Sequence, residues 1–356
     1  MPSSPVRIGI VKTSSMGDVI HALPVLSDLR TALPAALIDW VVESGFAEIP
    51  AWHPAVREVI PISIRRWRRS LSSASTWAEI RALGKRLRSQ EPYDVVLDLQ
   101  GLYKSALLTR LMTGTRAGYS FRCAREPLAA LAYSRRFDVD LQAHAIERMR
   151  QLSAQVFGYV PQGLPRFDLQ LPTPVASMRA VAPMPEEASA PLSAAAPASA
   201  SVTSPLAALP FAVLLHASAR AEKLWPQEQW RALISSLNGS GIAVVLPWAS
   251  ELEHQQARLL AGFGPICRVP LRMSLTECAQ LLQSALFVVG VDTGLTHLAA
   301  ALGKPTISLY GATAASRYGP YWSSSAINLG EVGRWPVSAQ VLEALAPWLE
   351  QSAVGA

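Results

Sequence analysis

The stretch VRIGIVKTSSMGDVIHALP, Val6–Pro24, decides how this chain is to be read. Its first six residues are a short apolar run of the kind that fills a buried strand. Seven polar or small residues follow, and then DVIHALPVLSDLRTAL places apolar side chains at helical spacing despite Pro24. Strand, turn and helix in that order open an α/β domain with a parallel sheet. The turn is neither a P-loop, since no Gly-Lys-Ser/Thr closes it, nor a GxGxxG fingerprint. Gly17 lets the backbone turn tightly or approach a ligand. Asp18 falls at the helix start, where two readings stand side by side. It is an N-cap that satisfies free backbone N–H groups, or a carboxylate placed to take a proton from an alcohol.

Outward from this stretch the alternation continues. Leu37–Glu43 (LIDWVVE), VREVIPI and Tyr93–Gln100 (YDVVLDLQ) read as strands, and Trp77–Arg88 and GLYKSALLTRLM as helices. Residues 171–210 change texture to Pro, Ala and Ser with few large side chains, and read as a semi-extended linker with a mobile middle. Beyond it, Phe211–Ala217, Ile242–Trp248, Leu286–Asp292 and PTISLYG read as strands. Helices lie between them, one with a Ser274/Glu277 capping box and one closed by Gly303. The expectation is an α/β chain of two Rossmann-like doubly wound domains facing across a cleft. The first spans 1–170 and the second 211–335. The remaining segment, 336–356, reads as a terminal helix that packs back on the first domain. Ligands in such folds sit beyond the carboxyl ends of the strands.

Half of the 356 residues are hydrophobic and 16% are charged, enough apolar content for two sizeable cores. No run reads as a membrane span, and the N-terminal sequence lacks the layout of a secretion signal. Cys123, Cys267 and Cys278 are scattered, which fits small core residues in a reducing compartment. The expected place is therefore the cytoplasm. The net charge of +6 is uneven: residues 1–170 hold 22 Lys and Arg against 15 Asp and Glu, and the remainder 10 against 11. The first half thus suits an anionic partner, whether nucleic acid, a phosphorylated ligand or an acidic membrane, or is a solvated basic face.

Three further stretches could carry chemistry. In GVDTGLTHLAAALG, Gly290–Gly303, the N–H groups of Thr293, Gly294 and Leu295 at a helix start form an anion site apt for a diphosphate, with His297 one turn in. The competing reading makes Asp292 and Thr293 caps and His297 a packed histidine. HASARAEKLWP offers Ser218, Arg220 and Lys223 after a strand, with Lys223 placed to neutralise a departing phosphate, or is a solvated loop anchored by Trp225. IRRWRRS, Ile64–Ser70, sets four arginines around a tryptophan, suited to phosphates or carboxylates. No metal-ligand spacing, GxSxG elbow or nucleic-acid-binding signature appears, and no cofactor or metal is expected.

VKTSSMGDVIHALP, DWVVESGFAEIP, DLQGLYKSALLTRL, LHASARAEKLWP and GVDTGLTHLAAALGKPTISLYG together resemble the lipopolysaccharide heptosyltransferases of glycosyltransferase family 9, the type I enzymes in particular. The resemblance runs over nearly the whole chain apart from the Ala/Pro/Ser linker. It implies a GT-B fold and an inverting, metal-independent transfer from ADP-L-glycero-β-D-manno-heptose to a Kdo2-lipid A acceptor. It also implies peripheral contact with the cytoplasmic face of an anionic inner membrane. By position, the catalytic base falls on Asp18, and donor binding on Ser218, Lys223, Glu253, Asp292, Thr293, Gly294, Leu295 and His297. Acceptor binding falls on Lys12, Arg65, Arg66, Lys104 and Arg125. Ala219 stands where the family often has threonine, so one donor hydrogen bond is missing. The alternatives are a family 9 transferase with another acceptor, or a non-catalytic nucleotide- or nucleic-acid-binding module.

Overall fold

The structure is a computed structural model that describes residues 5–89, 91–173 and 209–354. The described chain forms two units, and each is built on a six-stranded parallel sheet.

The first sheet contains β1 (Arg7–Val11), β2 (Leu37–Glu43), β3 (Val56–Ile62), β4 (Tyr93–Asp98), β5 (Gly114–Tyr119) and β6 (Arg135–Phe137), in the spatial order β3-β2-β1-β4-β5-β6. The order reverses between β1 and β4, the switch point of a Rossmann fold. Val11 pairs with Val41 on one side and Asp98 on the other. The helix Met16–Ala32 is buried along most of its circumference, with Val19, Ile20, Leu23, Leu26 and Leu29 fully enclosed. It packs on the helix Ala145–Phe157. Arg150 from that helix reaches Asp28 with two hydrogen bonds of 2.8 and 3.1 Å, so the polar groups at the contact are paired. On another part of the sheet, Val11, Val41, Ile60 and Val96 pack with Trp67 and with Leu87 of the helix Ala74–Ser89.

The second sheet contains β7 (Phe211–Leu215), β8 (Ala243–Val245), β9 (Cys267–Arg268), β10 (Val288–Val291), β11 (Thr306–Leu309) and β12 (Ala326–Leu329), ordered β12-β11-β10-β7-β8-β9. This is the same winding, with its switch point between β7 and β10. Gly290 of β10 has no room for a side chain: a Cβ there would lie 2.2 Å from Thr296 Oγ1 and 2.9 Å from Leu215 Cβ. The absence of that carbon lets the following helix close onto the strands.

The expected strands over Leu37–Glu43, 56–62, 93–100 and 211–217 all have counterparts, as has the Ser274/Glu277 capping box. The short strands β5, β6, β9 and β12 and the helix Ala145–Phe157 were not anticipated. The terminal helix, Ser338–Val354, corrects an expectation. Its apolar side chains Val341 and Leu345 are fully buried in the core of the second unit, beside Trp230 and Leu233 of the helix Gln227–Gly239. The late segment that joins the first unit is instead Ala314–Ser324. There Tyr321 and Trp322 pack against His144, with ring centroids 4.7 and 6.4 Å away. Of the expected linker, residues 174–208 lie outside the described residues. No helix among the described residues is long and apolar enough to cross a membrane.

Candidate active site

In the first unit the Lys12–Asp18 turn lies beyond the carboxyl end of β1. Ser15 is the N-cap of the helix Met16–Ala32 and Asp18 its third residue. The Asp18 carboxylate accepts hydrogen bonds from the Ser15 N–H (2.9 Å) and the Ser15 hydroxyl (2.8 Å). Its other oxygen stands 3.7 Å from the Lys12 ammonium. Asp18 helps to close the helix start, but from the third helical position; the N-cap itself, expected at Asp18, is Ser15. Its carboxylate is half-buried beside the switch point. Burial alone would raise its pKa. The Lys12 ammonium, the Ser15 donors and His21 outweigh that and hold the group down to about 2. Burial lowers Lys12, which Asp18 and Asp98 partly offset and Arg125 and Arg148 reinforce.

The turn is held from β4. Gln100 Oε1 accepts from the Thr13 N–H (2.7 Å), the Thr13 hydroxyl (3.0 Å) and the Ser14 N–H (3.2 Å), while its Nε2 donates to the Ser14 carbonyl (2.6 Å). Asp98 in turn accepts from the Gln100 and Gly101 N–H groups at 2.7 and 3.1 Å and from the Tyr133 hydroxyl at 2.7 Å. Gly101 takes φ +67°, a left-handed conformation open to glycine, and the backbone of Ala124 and Arg125 closes over it. Lys104, in the helix Tyr103–Thr109, donates to Ser14 Oγ at 2.8 Å.

The remaining basic residues divide. Arg125 lies close enough to act on Lys12 electrostatically, as does Arg148, which the sequence reading did not single out. Arg65 is exposed, 5.4 Å from the Phe46 ring centre, and its N–H donates to Glu43 Oε1 (2.9 Å). Glu43 is buried, and its Oε2 has no hydrogen-bond partner among the described residues. Arg66 is engaged by Glu79 through both its terminal nitrogens, and Trp67 Nε1 donates to the same carboxylate. It is a partly neutralised cation rather than an open one.

In the second unit the residues expected to bind the donor lie around the β7/β10 switch point. Asp292 follows β10, and the helix Gly294–Ala301 begins two residues on. Asp292 Oδ2 lies 2.5 Å from the Lys223 ammonium and accepts from the Thr313 hydroxyl at 2.5 Å, while Oδ1 is 3.0 Å from His297 Nε2. Burial would raise Asp292, but His297, Lys223 and Thr313 hold it well below the usual carboxylate range. Thr293 and Gly294 are half-buried where the helix offers N–H groups without intrahelical acceptors. Ser218 lies in the loop after β7, its Oγ 3.4 Å from the Arg220 N–H. Ser250 caps the helix Glu251–Ala261, the Glu253 carboxylate accepts from the Ala249 N–H just before it (2.8 Å), and the Glu253 carbonyl lies 3.3 Å from His216 Nε2 in the β7 loop. Thr313 is the residue missed here. It arrives from the loop after β11, and its surroundings (GATAAS) carry no motif.

Two parallel sheets of this winding define a two-domain GT-B architecture. The solved structure of E. coli heptosyltransferase WaaC with ADP superposes with a TM-score of 0.80 at 39% identity, covering 96% of this chain and all of that one. WaaC with ADP-2-deoxy-2-fluoro heptose gives 0.75 at 40% identity over 98% and 100%. Lipopolysaccharide heptosyltransferase 1 of Escherichia coli K12 is 44% identical over 318 residues, which are 88% of this chain and 91% of that protein. The profile of glycosyltransferase family 9 (heptosyltransferase) matches residues 80–341. The chain belongs to glycosyltransferase family 9. Membership of an enzyme family decides against the non-catalytic alternative.

Proposed function

We propose that this enzyme transfers L-glycero-D-manno-heptose from ADP-L-glycero-β-D-manno-heptose to Kdo of Kdo2-lipid A, with inversion and without a metal ion. It works at the cytoplasmic face of the inner membrane. The observation that carries the reading is the Lys223 ammonium beside Asp292 at the start of the helix Gly294–Ala301. A cation and a helix N-terminus at a Rossmann switch point form a receptor for a diphosphate that needs no bound cation. The relative solved with ADP-2-deoxy-2-fluoro heptose supports the identity of the sugar nucleotide.

The chemistry is a single displacement. An acceptor hydroxyl oxygen forms its bond to the anomeric carbon as the bond from that carbon to the diphosphate oxygen breaks, and ADP leaves with the electron pair. Asp18 receives the hydroxyl proton. A carboxylate held at about 2 is a weak base. It takes the proton late, once the forming C–O bond has made the hydroxyl acidic. Lys223 and the helix start meet the charge developing on the leaving group. Lys12, Lys104, Arg65 and Arg125 supply cations for the acceptor's carboxylates and phosphates.

Incubation with ADP-heptose and Kdo2-lipid A tests the proposal, with ADP release followed alongside the acceptor's mass. The expected result is a gain of one heptose, with inverted anomeric configuration and a rate unchanged by EDTA. ADP release without acceptor gain, or a rate abolished by chelator and restored by Mg²⁺, overturns the corresponding part.

A further inference from the structure

Most helices turn large apolar residues inward and small or polar ones outward. Two short helices of the first unit depart from this. Tyr103–Thr109 and Pro127–Ala132 pack side by side through alanines, with Ala106, Ala129, Ala130 and Ala132 buried around Tyr133. Leu108 of the first helix is buried in the core, but four other large side chains face solvent: Tyr103 is 51% exposed, Leu107 64%, Leu128 59% and Leu131 61%. Tyr103 and Leu107 are four apart on an α-helix and share a face. Leu128 and Leu131 are three apart on a 3₁₀-helix and eclipse one another. The result is a clustered apolar surface of the kind that marks an interaction site.

Its surroundings are basic. Between residues 101 and 137 the sequence holds seven Lys and Arg against one acidic residue, Glu126, and this surplus of six equals the net charge of the entire chain. Arg110 is exposed at the end of the first helix. Arg136 donates from Nε to the Ala130 carbonyl at 2.7 Å, which fixes its guanidinium beside the second helix, 5.3 Å from the Phe121 ring centre. Exposed leucines and a tyrosine ringed by arginines fit the interfacial zone of a bilayer with anionic headgroups. The apolar tips enter the acyl boundary, and the guanidinium groups meet phosphates.

We propose that the face formed by Tyr103, Leu107, Leu128 and Leu131 docks this enzyme onto an anionic phospholipid surface. This names the surface behind the membrane contact proposed above, and rests on that reading only for its biological setting. The geometry gives the face a use. Lys104, between Tyr103 and the rest of the helix, donates to Ser14 of the turn that carries Asp18. One helix thus presents apolar residues to the bilayer and, through the adjoining Lys104, braces the candidate catalytic turn.

The test is flotation of the full chain with vesicles of phosphatidylcholine, alone or with about 30% phosphatidylglycerol. Wild-type protein is expected to float with the anionic vesicles and to be released by high salt. A Leu107→Gln/Leu131→Gln double variant should lose at least tenfold in partitioning, with an unchanged thermal midpoint, since both side chains are already exposed. Arg110→Glu/Arg136→Glu should lose binding to anionic vesicles only. Equal flotation of parent and leucine variant overturns the proposal, as does binding indifferent to lipid charge. Light scattering supplies the remaining arm: a dimer that the leucine substitutions dissociate assigns the face to a second copy and overturns the lipid reading. The flotation result does not depend on which sugar is transferred. A failure here leaves the transferase reading standing, and failure of heptose transfer leaves this one.

Discussion

The Lys12 ammonium stands 3.7 Å from the Asp18 carboxylate, both at the carboxyl end of the first strand. Removing the cation should free the carboxylate to respond to its burial. With Lys12 present Asp18 is held at about 2, so its protonation limits the rate only below ordinary assay pH. In Lys12→Met the main opposing charge is gone while burial remains, so the pKa rises. The acid limb of kcat/KM should accordingly move to higher pH. An unchanged acid limb would show that Asp18 is not the titrating base.

Asp18→Asn keeps a carbonyl oxygen to accept from Ser15 and so preserves the helix start. Folding and ADP affinity should stay near wild type while turnover falls about 10²–10⁴-fold. Calorimetric ADP titration beside turnover measurement separates the two; near-normal turnover excludes the base assignment.

Gln100 bonds both the N–H groups and one carbonyl of the Thr13–Ser14 turn. Gln100→Leu strands these buried groups and should cost about 3 kcal/mol of stability, read by denaturant unfolding. Turnover should fall more than ADP affinity, because the distorted turn is the one bearing Asp18. Equal losses in both would mean the substitution acts only through global destabilisation.

Lys223→Ala should reduce kcat/KM for the donor by about 10–10³-fold, since it removes the cation that meets the leaving diphosphate. Unchanged kinetics would take Lys223 out of the site.

Thr313 and Lys223 share one oxygen of Asp292. Thr313→Val leaves that oxygen to the ammonium alone and tightens its hold, so ADP affinity should drop about 3–10-fold. Thr313→Ser, which retains the hydroxyl, should restore it. Failure of serine to rescue would reduce the role of Thr313 to packing of its methyl group.

Much of this was legible in the sequence because central parallel strands leave a strong trace. Trp40, Val41 and Val42 of β2 and Val96 and Leu97 of β4 are fully buried on both faces and read as continuous apolar runs. Of the edge strands, β3 was legible but β6, β9 and β12 left no trace. β6 is Arg-Arg-Phe and β9 is Cys-Arg, too short and polar for any period to show. The helix Ala145–Phe157 hid because its buried arginine, Arg150, looks like a surface residue until Asp28 is seen to pair with it. Of the candidate residues, Asp18 in the first unit and Lys223 and Asp292 in the second stood out in the sequence because each sits in a strand-to-helix turn. Gln100 and Thr313 lie in such turns too, after β4 and β11, but an amide and a hydroxyl there do not stand out as chemistry, and Arg148 lies in the helix Ala145–Phe157, which was not anticipated. Glu253 was assigned to the donor by resemblance, and its carboxylate accepts from the Ala249 N–H ahead of its own helix.

The ammonium proposed to receive the nucleotide does not wait bare. Asp292 already occupies it, at 2.5 Å, with a hydroxyl and an imidazole sharing the same carboxylate. On the proposed reading, every incoming diphosphate must displace a built-in rival anion, and every spent one is pushed out by the rival's return. Such an arrangement gives up tightness of binding in exchange for quick turnover of the site. It also keeps a lone positive charge from trapping stray inorganic phosphate between cycles.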